Sequence, residues 1–431
     1  MNIETAADLR DVSSSAALGR CRLCGTSLHR TVVDLGMSPP CEKILLPHEI
    51  DGLEEYYPLH VLVCDECLLV QLKEYVGPEA IFSEYCYFSS YSTSWVEHAR
   101  RYVEMIAARL QLDGQSQVVE LASNDGYLLQ HFLPLGVNVL GVEPAANVAE
   151  AARKLGIPTR VEFFGETCAR RMVADGFAAD LIVGNNVLAH VPDLNDFVGG
   201  VVQLLKPDGT ATFEFPHLQR LFDENQFDTI YHEHFSYFSL LTIEKLAARH
   251  KLVLYDVDEI PSHGGSVRIY LAHVGSGRSP SAKVREVLAR EIRTGLGDAS
   301  NYGAFEERAR ATKRDLLKFL IAAKEMGKTV VGYGAPGKGN TLLNYCGVGR
   351  DFIDFTVDLN PYKHGRFTPG MHLPIRPVDA INEARPDYIL ILPWNLKREI
   401  IAQMSHVAEW GAKFVTPIPR VEIIDPRERL S

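Results

Sequence analysis

The sequence predicts an α/β protein built from two doubly wound sheets, with a small cysteine-containing module in front of them. Alternating strand and helix signals run from about residue 95 to residue 275, the pattern typical of a parallel sheet covered by helices. A charged helical stretch, residues 281–326, precedes a second strand–loop–helix series that continues to the C-terminus. With 431 residues, the chain can form three domains, which we expect at residues 1–80, 81–275 and 276–431.

Composition disfavours several classes of function. A formal net charge of −11 argues against a nucleic-acid partner, because phosphate backbones bind basic surfaces. The sequence contains no apolar run of the roughly 18 residues needed to cross a bilayer. Its first residues, MNIETAADLR, lack the basic and apolar segments of a signal peptide. We therefore expect a cytoplasmic protein without nucleic-acid or membrane partners, and a monomer.

Four of the eight cysteines form two Cys-x-x-Cys pairs, Cys21 with Cys24 and Cys64 with Cys67. This spacing lets a tight turn direct both sulfurs at one ion, and two such turns complete a tetrahedral thiolate site for Zn²⁺. The alternative is that one pair is redox-active or incidental. Because no further ligand or open coordination position is indicated, we interpret the predicted zinc as structural.

A strand, a turn of small residues and a predicted helix start occupy residues 118–128. The next strand ends in Glu143, about 20 residues later, where a carboxylate can accept hydrogen bonds from ribose hydroxyls. The turn lacks the three glycines that a dinucleotide pyrophosphate requires, whereas S-adenosylmethionine carries no phosphate. The pattern therefore favours the methyl donor over a dinucleotide or a ligand-free sheet. The candidate donor-binding residues are Glu120, Ala122, Asn124, Gly126, Tyr127, Glu143, Pro144, Asn185 and Asn186.

Acid and base groups are concentrated in the segment Tyr231-His-Glu-His-Phe-Ser-Tyr-Phe238. Histidine has an unperturbed pKa close to neutrality, and a neighbouring Glu or Tyr can orient it. The alternatives for this segment are a solvated surface loop and a set of metal ligands. We interpret His234 as the first candidate for a general base, with Glu233 as its orienter or replacement.

The C-terminal series contains a glycine loop, residues 332–337, that satisfies the G-x-G-x-x-G dinucleotide fingerprint. It follows a strand, precedes a helix, and is followed by Asp358 about 20 residues later. Three interpretations remain open: an NAD site, glycines that only allow close packing, or backbone amides that contact the diphosphate of a sugar nucleotide together with Lys338.

Taken together, these motifs resemble the sugar C-methyltransferases that act on thymidine-diphosphate (TDP)-linked keto-deoxysugars in antibiotic biosynthesis. The resemblance covers nearly the whole chain and is carried by the two cysteine pairs and by residues 85–91, 120–126, 231–238 and 332–346. It implies a zinc-binding N-terminal module, a class I methyltransferase Rossmann-like domain that binds S-adenosylmethionine, and a C-terminal Rossmann-like domain that helps hold the nucleotide sugar.

Carbon methylation next to a ketone requires a base that removes the acidic C–H proton and donors that stabilise the enolate. On this hypothesis His234 removes the proton, most simply from C-3 of a TDP-4-keto-deoxysugar. Tyr231 and His190 are candidates to polarise the ketone, and Tyr87 can reach in from the segment before residue 95. The candidates for substrate contacts are Tyr85, His263, Lys338 and Asn340.

Two other functions fit part of the sequence. An NAD-dependent nucleotide-sugar dehydrogenase or epimerase would use the C-terminal glycine loop. A zinc-ribbon interaction protein would explain the cysteine pairs, but it would leave the acid and base groups of residues 231–238 without a role.

Overall fold

The computed structural model describes residues 17–77 and 88–427. Among these residues no helix is long and apolar enough to cross a membrane. The strands are Gly19–Arg20 (β1), Ser27–Leu28 (β2), Arg30–Ser38 (β3), Tyr57–Val63 (β4), Val70–Leu72 (β5), Gln117–Leu121 (β6), Asn138–Val142 (β7), Thr159–Arg160 (β8), Ala179–Asn185 (β9), Leu205–Pro216 (β10), Ser236–Tyr237 (β11), Leu252–Ile260 (β12), Ser266–His273 (β13), Val330–Tyr333 (β14), Thr356–Val357 (β15), Ile375–Arg376 (β16), Tyr388–Ile391 (β17), Lys413–Thr416 (β18) and Glu422–Ile424 (β19). The α-helices are Thr93–Leu110 (α1), Ala146–Lys154 (α2), Glu166–Ala174 (α3), Leu194–Leu204 (α4), Leu218–Asp223 (α5), Leu240–Arg249 (α6), Ala282–Arg293 (α7), Ala304–Glu325 (α8), Gly337–Cys346 (α9), Ala380–Ala384 (α10) and Lys397–Gln403 (α11).

The central sheet has seven strands in the order β12-β13-β10-β9-β6-β7-β8. Strand β13 runs antiparallel to both of its neighbours, and the other pairs are parallel. Side chains alternate between the two faces, so Val118 and Leu181 pack in one core cluster and Val119 and Ile182 in another. Burial on both faces explains the nearly continuous apolar runs of these strands. The predicted class I methyltransferase sheet is confirmed.

The helices predicted from periodicity are also found. Helix α1 starts two residues before the predicted residue 95, where the Ser92 hydroxyl accepts a hydrogen bond from Trp95 N at 3.3 Å. The charged stretch 281–326 contains α7 and α8, and Ser281 caps the first of them. These boundaries follow from local capping, which sequence spacing can indicate.

The helix predicted directly after the turn of residues 122–126 is wrong. The chain forms two short 3-10 turns there, Leu129–His131 and Leu133–Leu135. Pro134 lies at the start of the second turn, where its ring has no amide hydrogen to donate and prevents a regular α-helix from continuing through it.

The N-terminal module contains a four-stranded antiparallel sheet in the order β11-β5-β4-β3. Its edge strand β11 comes from the predicted methyltransferase domain and contains Ser236 and Tyr237, which pair with Gln71 and Val70. The amide of Leu72 also donates to the carbonyl of Phe235 at 3.0 Å. The segment rich in acid and base groups is therefore held by the sheet of the cysteine module.

The four predicted metal ligands come together at one end of this module. Their Sγ atoms all lie within 4.8 Å of one another, with 3.4 Å between Cys21 and Cys67 and 3.5 Å between Cys24 and Cys64. A tetrahedral ion with Zn–S bonds of about 2.3 Å places its sulfurs about 3.8 Å apart. The spacing and the all-thiolate donor set therefore fit Zn²⁺, and Gln71 Nε2 lies 3.3 Å from the sulfur of Cys21 as an outer-shell donor.

Arg22 connects this metal cluster to the rest of the molecule. Its guanidinium donates to the carbonyls of Leu72 and Pro192, the latter at 2.7 Å, and lies 5.4 Å from the centre of the Phe235 ring. Because Arg22 stands between two metal ligands, the position of the cysteine knuckle and that of the segment around Phe235 depend on each other.

The C-terminal sheet has six strands in the order β16-β15-β14-β17-β18-β19. All neighbouring pairs are parallel except β18 with β19. This arrangement confirms the predicted second Rossmann-like domain. The domain contacts the cysteine module through a bridge between Leu45 and Phe367 and through Glu54, whose carboxylate accepts from Gly370 N at 2.8 Å.

One buried carboxylate joins helix α7 to the first turn of α6 and to the residue that follows β10. Glu291 accepts hydrogen bonds from the amides of Leu240 and Leu241, at 2.7 and 2.9 Å, and from His217 Nε2 at 2.6 Å. Because Glu291 is completely buried, these three donors satisfy a group that would otherwise be costly to desolvate.

The domain boundaries at residues 80 and 275 stay predictions.

We expect purified protein to contain about one zinc per chain, because a structural thiolate site couples metal binding to folding. Cys24→Ser should remove most of the zinc and lower the melting temperature. Metal content is measured by elemental analysis and stability by thermal unfolding. Cys168→Ser is the matched control, since this thiol is buried in α3 outside the cluster. Full zinc occupancy after Cys24→Ser would contradict the assignment.

Candidate functional site

Three acidic residues meet at the carboxyl ends of β6 and β7. Glu120, Asp125 and Glu143 are 1%, 2% and 4% exposed. Burial, together with repulsion from the other two carboxylates, raises the pKa of Glu120 well above its ordinary value. Among the described residues, Glu120 Oε2 and Asp125 Oδ1 have no hydrogen-bond partner. Such a group of acidic oxygens suits a cationic ligand and disfavours a pyrophosphate.

Glu143 is oriented by the backbone around it. Its two carboxylate oxygens accept hydrogen bonds from Asn124 N at 3.0 Å and Ala145 N at 2.9 Å. Burial raises its pKa, while these two hydrogen bonds lower it. Each oxygen keeps a second lone pair for a ligand hydroxyl.

The turn after β6 brings backbone close to this acidic group. Ala122, Asn124 and Gly126 have φ angles of 53°, 49° and 81°, in the left-handed region. At Gly126, a Cβ atom would lie 2.4 Å from Ile157 Cδ1, so glycine is required there. Strained turns of this kind concentrate at ligand sites.

The structure brings the other predicted donor-site residues to the same sheet edge. Asn185 ends β9, and Asn186 has a φ of 53° with its amide bonded to Glu214 O at 2.7 Å. Tyr127 is buried and stacks on Trp95 at 6.1 Å between ring centres. Pro144 directly follows Glu143. The sequence did not identify Trp95 and Asp125 as residues of this site, although Asp125 lies within the recognised turn.

A second cluster, next to the cysteine module, contains a pair of imidazoles. The rings of His190 and His234 lie 4.7 Å apart between centres, in an edge-on arrangement. His190 Nδ1 donates to Glu233 O at 2.8 Å, and His234 Nδ1 donates to Thr229 O at 3.0 Å. These carbonyls can only accept, so His234 carries its proton on Nδ1 and presents Nε2 as an acceptor.

Burial keeps both imidazoles neutral. It lowers the pKa of His234 well below its ordinary value, and the nearby His190, His263 and Lys338 lower it further. Burial also lowers the pKa of His190 to about 4, against the hydrogen bond to Glu233 O. Near pH 7 the His234 ring is therefore in the state that can accept a proton.

The pKa values of Glu233 and Tyr231 are raised, whereas those of the two imidazoles are lowered. Burial and the charge of Glu42 raise the pKa of the Glu233 carboxyl to about 8. Burial, with Cys41 and Glu233 nearby, raises the pKa of Tyr231 well above its ordinary value. The Tyr231 ring lies 4.0 Å from the ring of His234 between centres. Near pH 7 both groups are protonated and can donate hydrogen bonds.

The C-terminal domain contributes to this cluster through α9 and the loop after β17. Lys338 donates to Asn395 Oδ1 at 3.0 Å and lies 5.1 Å from the centre of the Trp394 ring. Trp394 Nε1 donates to the buried carboxylate of Asp228 at 2.7 Å. Burial raises the pKa of Asp228 to about 6, although Lys338 lowers it. Sequence reasoning missed Asp228 and Trp394, because nothing local marks them.

The predicted His263 lies in a turn that both domains contact. It has a φ of 55°, and its ring meets the Trp95 ring edge-on at 5.1 Å between centres. At the next residue, Gly264, a Cβ atom would lie 2.8 Å from an atom of the Trp394 ring. The turn therefore joins the donor side of the site to the C-terminal domain.

A buried ion pair holds this turn. Glu214 accepts hydrogen bonds from Ser262 Oγ at 2.9 Å, His98 Nε2 at 2.9 Å and Arg268 at 2.6 Å. Burial alone would raise the pKa of the Glu214 carboxyl. The neighbouring His98, Arg268 and Ser262 outweigh that effect and lower this pKa to about 2. This network was not anticipated, because its members are far apart in the sequence.

The glycine loop of residues 332–337 makes hydrogen bonds within the chain. Ala335 N donates to Asp358 Oδ2 at 2.8 Å, and Gly337 N donates to Glu42 Oε1 at 2.9 Å. Two of the loop's backbone amides are therefore already bonded to carboxylates of the same chain. The glycine spacing thus indicated the shape of the loop correctly, while a diphosphate contact by this loop and Lys338 stays a prediction.

The remaining candidates are placed as follows. Asn340 is 1% exposed and its Nδ2 donates to Cys41 O at 2.7 Å, so in this structure it joins α9 to the cysteine module. A substrate contact by Asn340 stays a prediction. Tyr85 and Tyr87 lie outside the described residues.

Three family models match successive parts of the chain. The model described as "Putative zinc binding domain" matches residues 21–82. The model described as "Methyltransferase domain" matches residues 95–256, and the one described as "C-methyltransferase C-terminal domain" matches residues 261–419.

Solved structures of methyltransferases match part of the chain. An S-adenosylmethionine-dependent methyltransferase from Clostridium acetobutylicum ATCC 824 is 12% identical, with a TM-score of 0.32, covering 41% of this chain and 92% of that one. Magnesium protoporphyrin IX methyltransferase from Synechocystis PCC 6803 is 12% identical, with a TM-score of 0.33, covering 41% of this chain and 82% of that one.

Among characterised proteins, the ubiquinone biosynthesis O-methyltransferase of Bartonella bacilliformis is 24% identical over 94 residues, 22% of this chain and 38% of that protein. The C-methyltransferase NovU of Streptomyces niveus is 36% identical over 416 residues, 96% of this chain and 98% of that protein. This alignment extends over all three parts of the chain that the family models match. The chain therefore belongs to the family of S-adenosylmethionine-dependent C-methyltransferases that carry a zinc-binding N-terminal domain and a C-terminal domain of their own.

Proposed function

We propose that this C-methyltransferase transfers the methyl group of S-adenosylmethionine to a carbon next to the ketone of a TDP-linked keto-deoxysugar, through an enolate formed by His234. The observation that carries the proposal is the neutral His234 ring, whose Nδ1 hydrogen is committed to Thr229 O and whose Nε2 is left as the proton acceptor. Carbon methylation needs such a base, because a sugar carbon becomes nucleophilic only after losing its α-proton.

The groups beside His234 support the enolate step. Tyr231 and the protonated Glu233 carboxyl can donate hydrogen bonds to the ketone oxygen as it gains negative charge. His190 is a weaker candidate for this task, because its Nδ1 hydrogen is already donated to Glu233 O. A pKa of about 4 leaves His190 without a second N–H near pH 7. We therefore assign ketone polarisation to Tyr231 and Glu233.

The donor is assigned to the acidic group at the carboxyl edge of the sheet. S-adenosylmethionine carries a sulfonium and an ammonium charge, which complement the unpartnered oxygens of Glu120 and Asp125. Glu143, fixed by two backbone amides, would accept hydrogen bonds from the ribose hydroxyls.

The sugar nucleotide is assigned to the junction with the C-terminal domain. A cavity of about 580 Å³ lies between the turn at Gly264 and this domain, and its lining combines the cationic side chains of Arg220, Lys397 and Arg398 and the Trp394 ring with the carboxylates of Glu224 and Glu259. Cationic and aromatic side chains suit a nucleoside diphosphate. We propose C-3 of a 4-keto sugar as the methylated position, because the neighbouring ketone acidifies its proton.

Glu143→Ala should weaken binding of S-adenosylmethionine by about 1.5–3 kcal/mol, the range for hydrogen bonds to a charged group. Binding of TDP should change little. Both affinities are measured by calorimetry, with Glu150→Ala as control, because Glu150 forms only an exposed pair with Lys154 on α2. An unchanged donor affinity would move the ribose contact elsewhere.

His234→Asn should lower turnover of a TDP-4-keto-deoxysugar by about 10²–10⁴, the range for loss of a general base. It should equally suppress exchange of the substrate α-proton with deuterated solvent, measured with S-adenosylhomocysteine bound so that methyl transfer cannot compete. His406→Asn, an exposed imidazole in the C-terminal domain, is the control. Exchange at the wild-type rate in the His234 variant would assign proton removal to another group.

The pH profile separates His234 from Glu233 as the base. If neutral His234 is the base and protonated Glu233 is a donor, kcat/KM should stay level from pH 6 and fall above about pH 8, where the Glu233 carboxyl ionises. Glu233→Gln should remove that fall. A rate that instead rises through pH 8 would identify Glu233 as the base.

A further inference from the structure

Glu42 reaches from the zinc module to the first residue of α9. Its Oε1 accepts the hydrogen bond of Gly337 N at 2.9 Å. The carbonyl of the preceding residue, Cys41, accepts from Asn340 Nδ2 at 2.7 Å, so two consecutive module residues hold the first turn of this helix. A Cβ atom at Gly337 would lie 2.7 Å from Glu42 Oε1 and 2.8 Å from Cys41 Sγ. Glycine is therefore needed for the approach.

The helix start held in this way carries Lys338. Its ammonium bonds to Asn395 and lies above the Trp394 ring, and its charge acts on His234 and on Asp228. A carboxylate at a helix N-terminus is favourable, since it accepts an otherwise unpaired amide and complements the helix dipole. Glu42 thus stabilises the orientation of α9 in which Lys338 contacts Asn395 and Trp394 and its charge acts on His234.

Glu42 also acts on the segment of residues 231–238 directly. Among the ionisable side chains near the Glu233 carboxyl are Glu42, Cys41 and Tyr231. Lys363 lies 3.9 Å from Glu42 Oε2 on the other side. A negative charge on Glu42 disfavours ionisation of Glu233, in addition to the effect of burial.

We propose that Glu42 is a positioning residue: from the zinc module, its carboxylate fixes the start of α9, so that the C-terminal domain presents Lys338 to the site around His234 and Glu233. The role of that site rests on the function proposed above. The contact itself does not, because it joins two domains whatever the substrate is.

Two substitutions separate the hydrogen bond of Glu42 from its charge. Glu42→Gln keeps an acceptor for Gly337 N and removes the charge, whereas Glu42→Ala removes both. Hydrogen exchange of peptides that cover residues 335–346 should accelerate in Glu42→Ala and stay near the wild-type rate in Glu42→Gln. With a keto-deoxysugar nucleotide, Glu42→Ala should lower kcat/KM about tenfold or more, as expected for loss of a charge-assisted hydrogen bond.

Glu42→Gln should have an effect that loss of stability alone would not produce. Without the neighbouring negative charge the pKa of Glu233 falls, so the decline of kcat/KM at high pH should move to lower pH. Zinc content should be unchanged in both variants. Glu49→Gln and Glu49→Ala are the matched controls, since Glu49 is a carboxylate of the same module that accepts only from Leu46 N within its own loop.

Wild-type exchange over residues 335–346 in Glu42→Ala would overturn the proposal. So would an unmoved pH profile in Glu42→Gln. If the wild-type protein shows no methylation of keto-deoxysugar nucleotides, the proposed function fails by itself. In that case the positioning role is upheld by faster exchange in Glu42→Ala and overturned by unchanged exchange.

Discussion

The pairing of β11 with β5 is the interaction on which the rest of the site depends. It makes Ser236 and Tyr237 the edge of a sheet whose other strands belong to the zinc module. His234 lies two residues before this edge strand, and His190 packs against His234. Backbone hydrogen bonds on both sides of Phe235 therefore set the position of the histidine pair. Arg22, which stands between the metal ligands Cys21 and Cys24, contacts the same segment at the Phe235 ring.

Exclusion of water gives the site its chemistry. The same desolvation that keeps His234 neutral keeps the Glu233 carboxyl protonated, because burial disfavours the charged form of either group. A proton acceptor and a proton donor therefore both persist near pH 7 within one buried segment. Residues of the cysteine module, the methyltransferase sheet and the C-terminal domain all lie near these groups.

Local spacing made much of this predictable. The cysteine pairs, the turn before Gly126 and the carboxylate at Glu143 lie within short sequence windows, and each is found where its pattern placed it. The helix predicted after the turn is absent, because Pro134 prevents a regular α-helix from continuing there. Glu42, Asp228 and the strand β11 were not predictable, since their partners are 295, 166 and 165 residues away and no periodicity records such contacts.

The glycine loop of the C-terminal domain has a consequence for how sequences of this kind are interpreted. A fingerprint defined by glycine spacing detects a backbone that can approach an acceptor closely, and it carries no information about which molecule supplies that acceptor. Here two side-chain carboxylates of the same chain do so, at Ala335 and Gly337. Chains that keep the glycines together with an acidic residue in an upstream module would be misassigned as nucleotide-dependent oxidoreductases, although their loop serves to join domains.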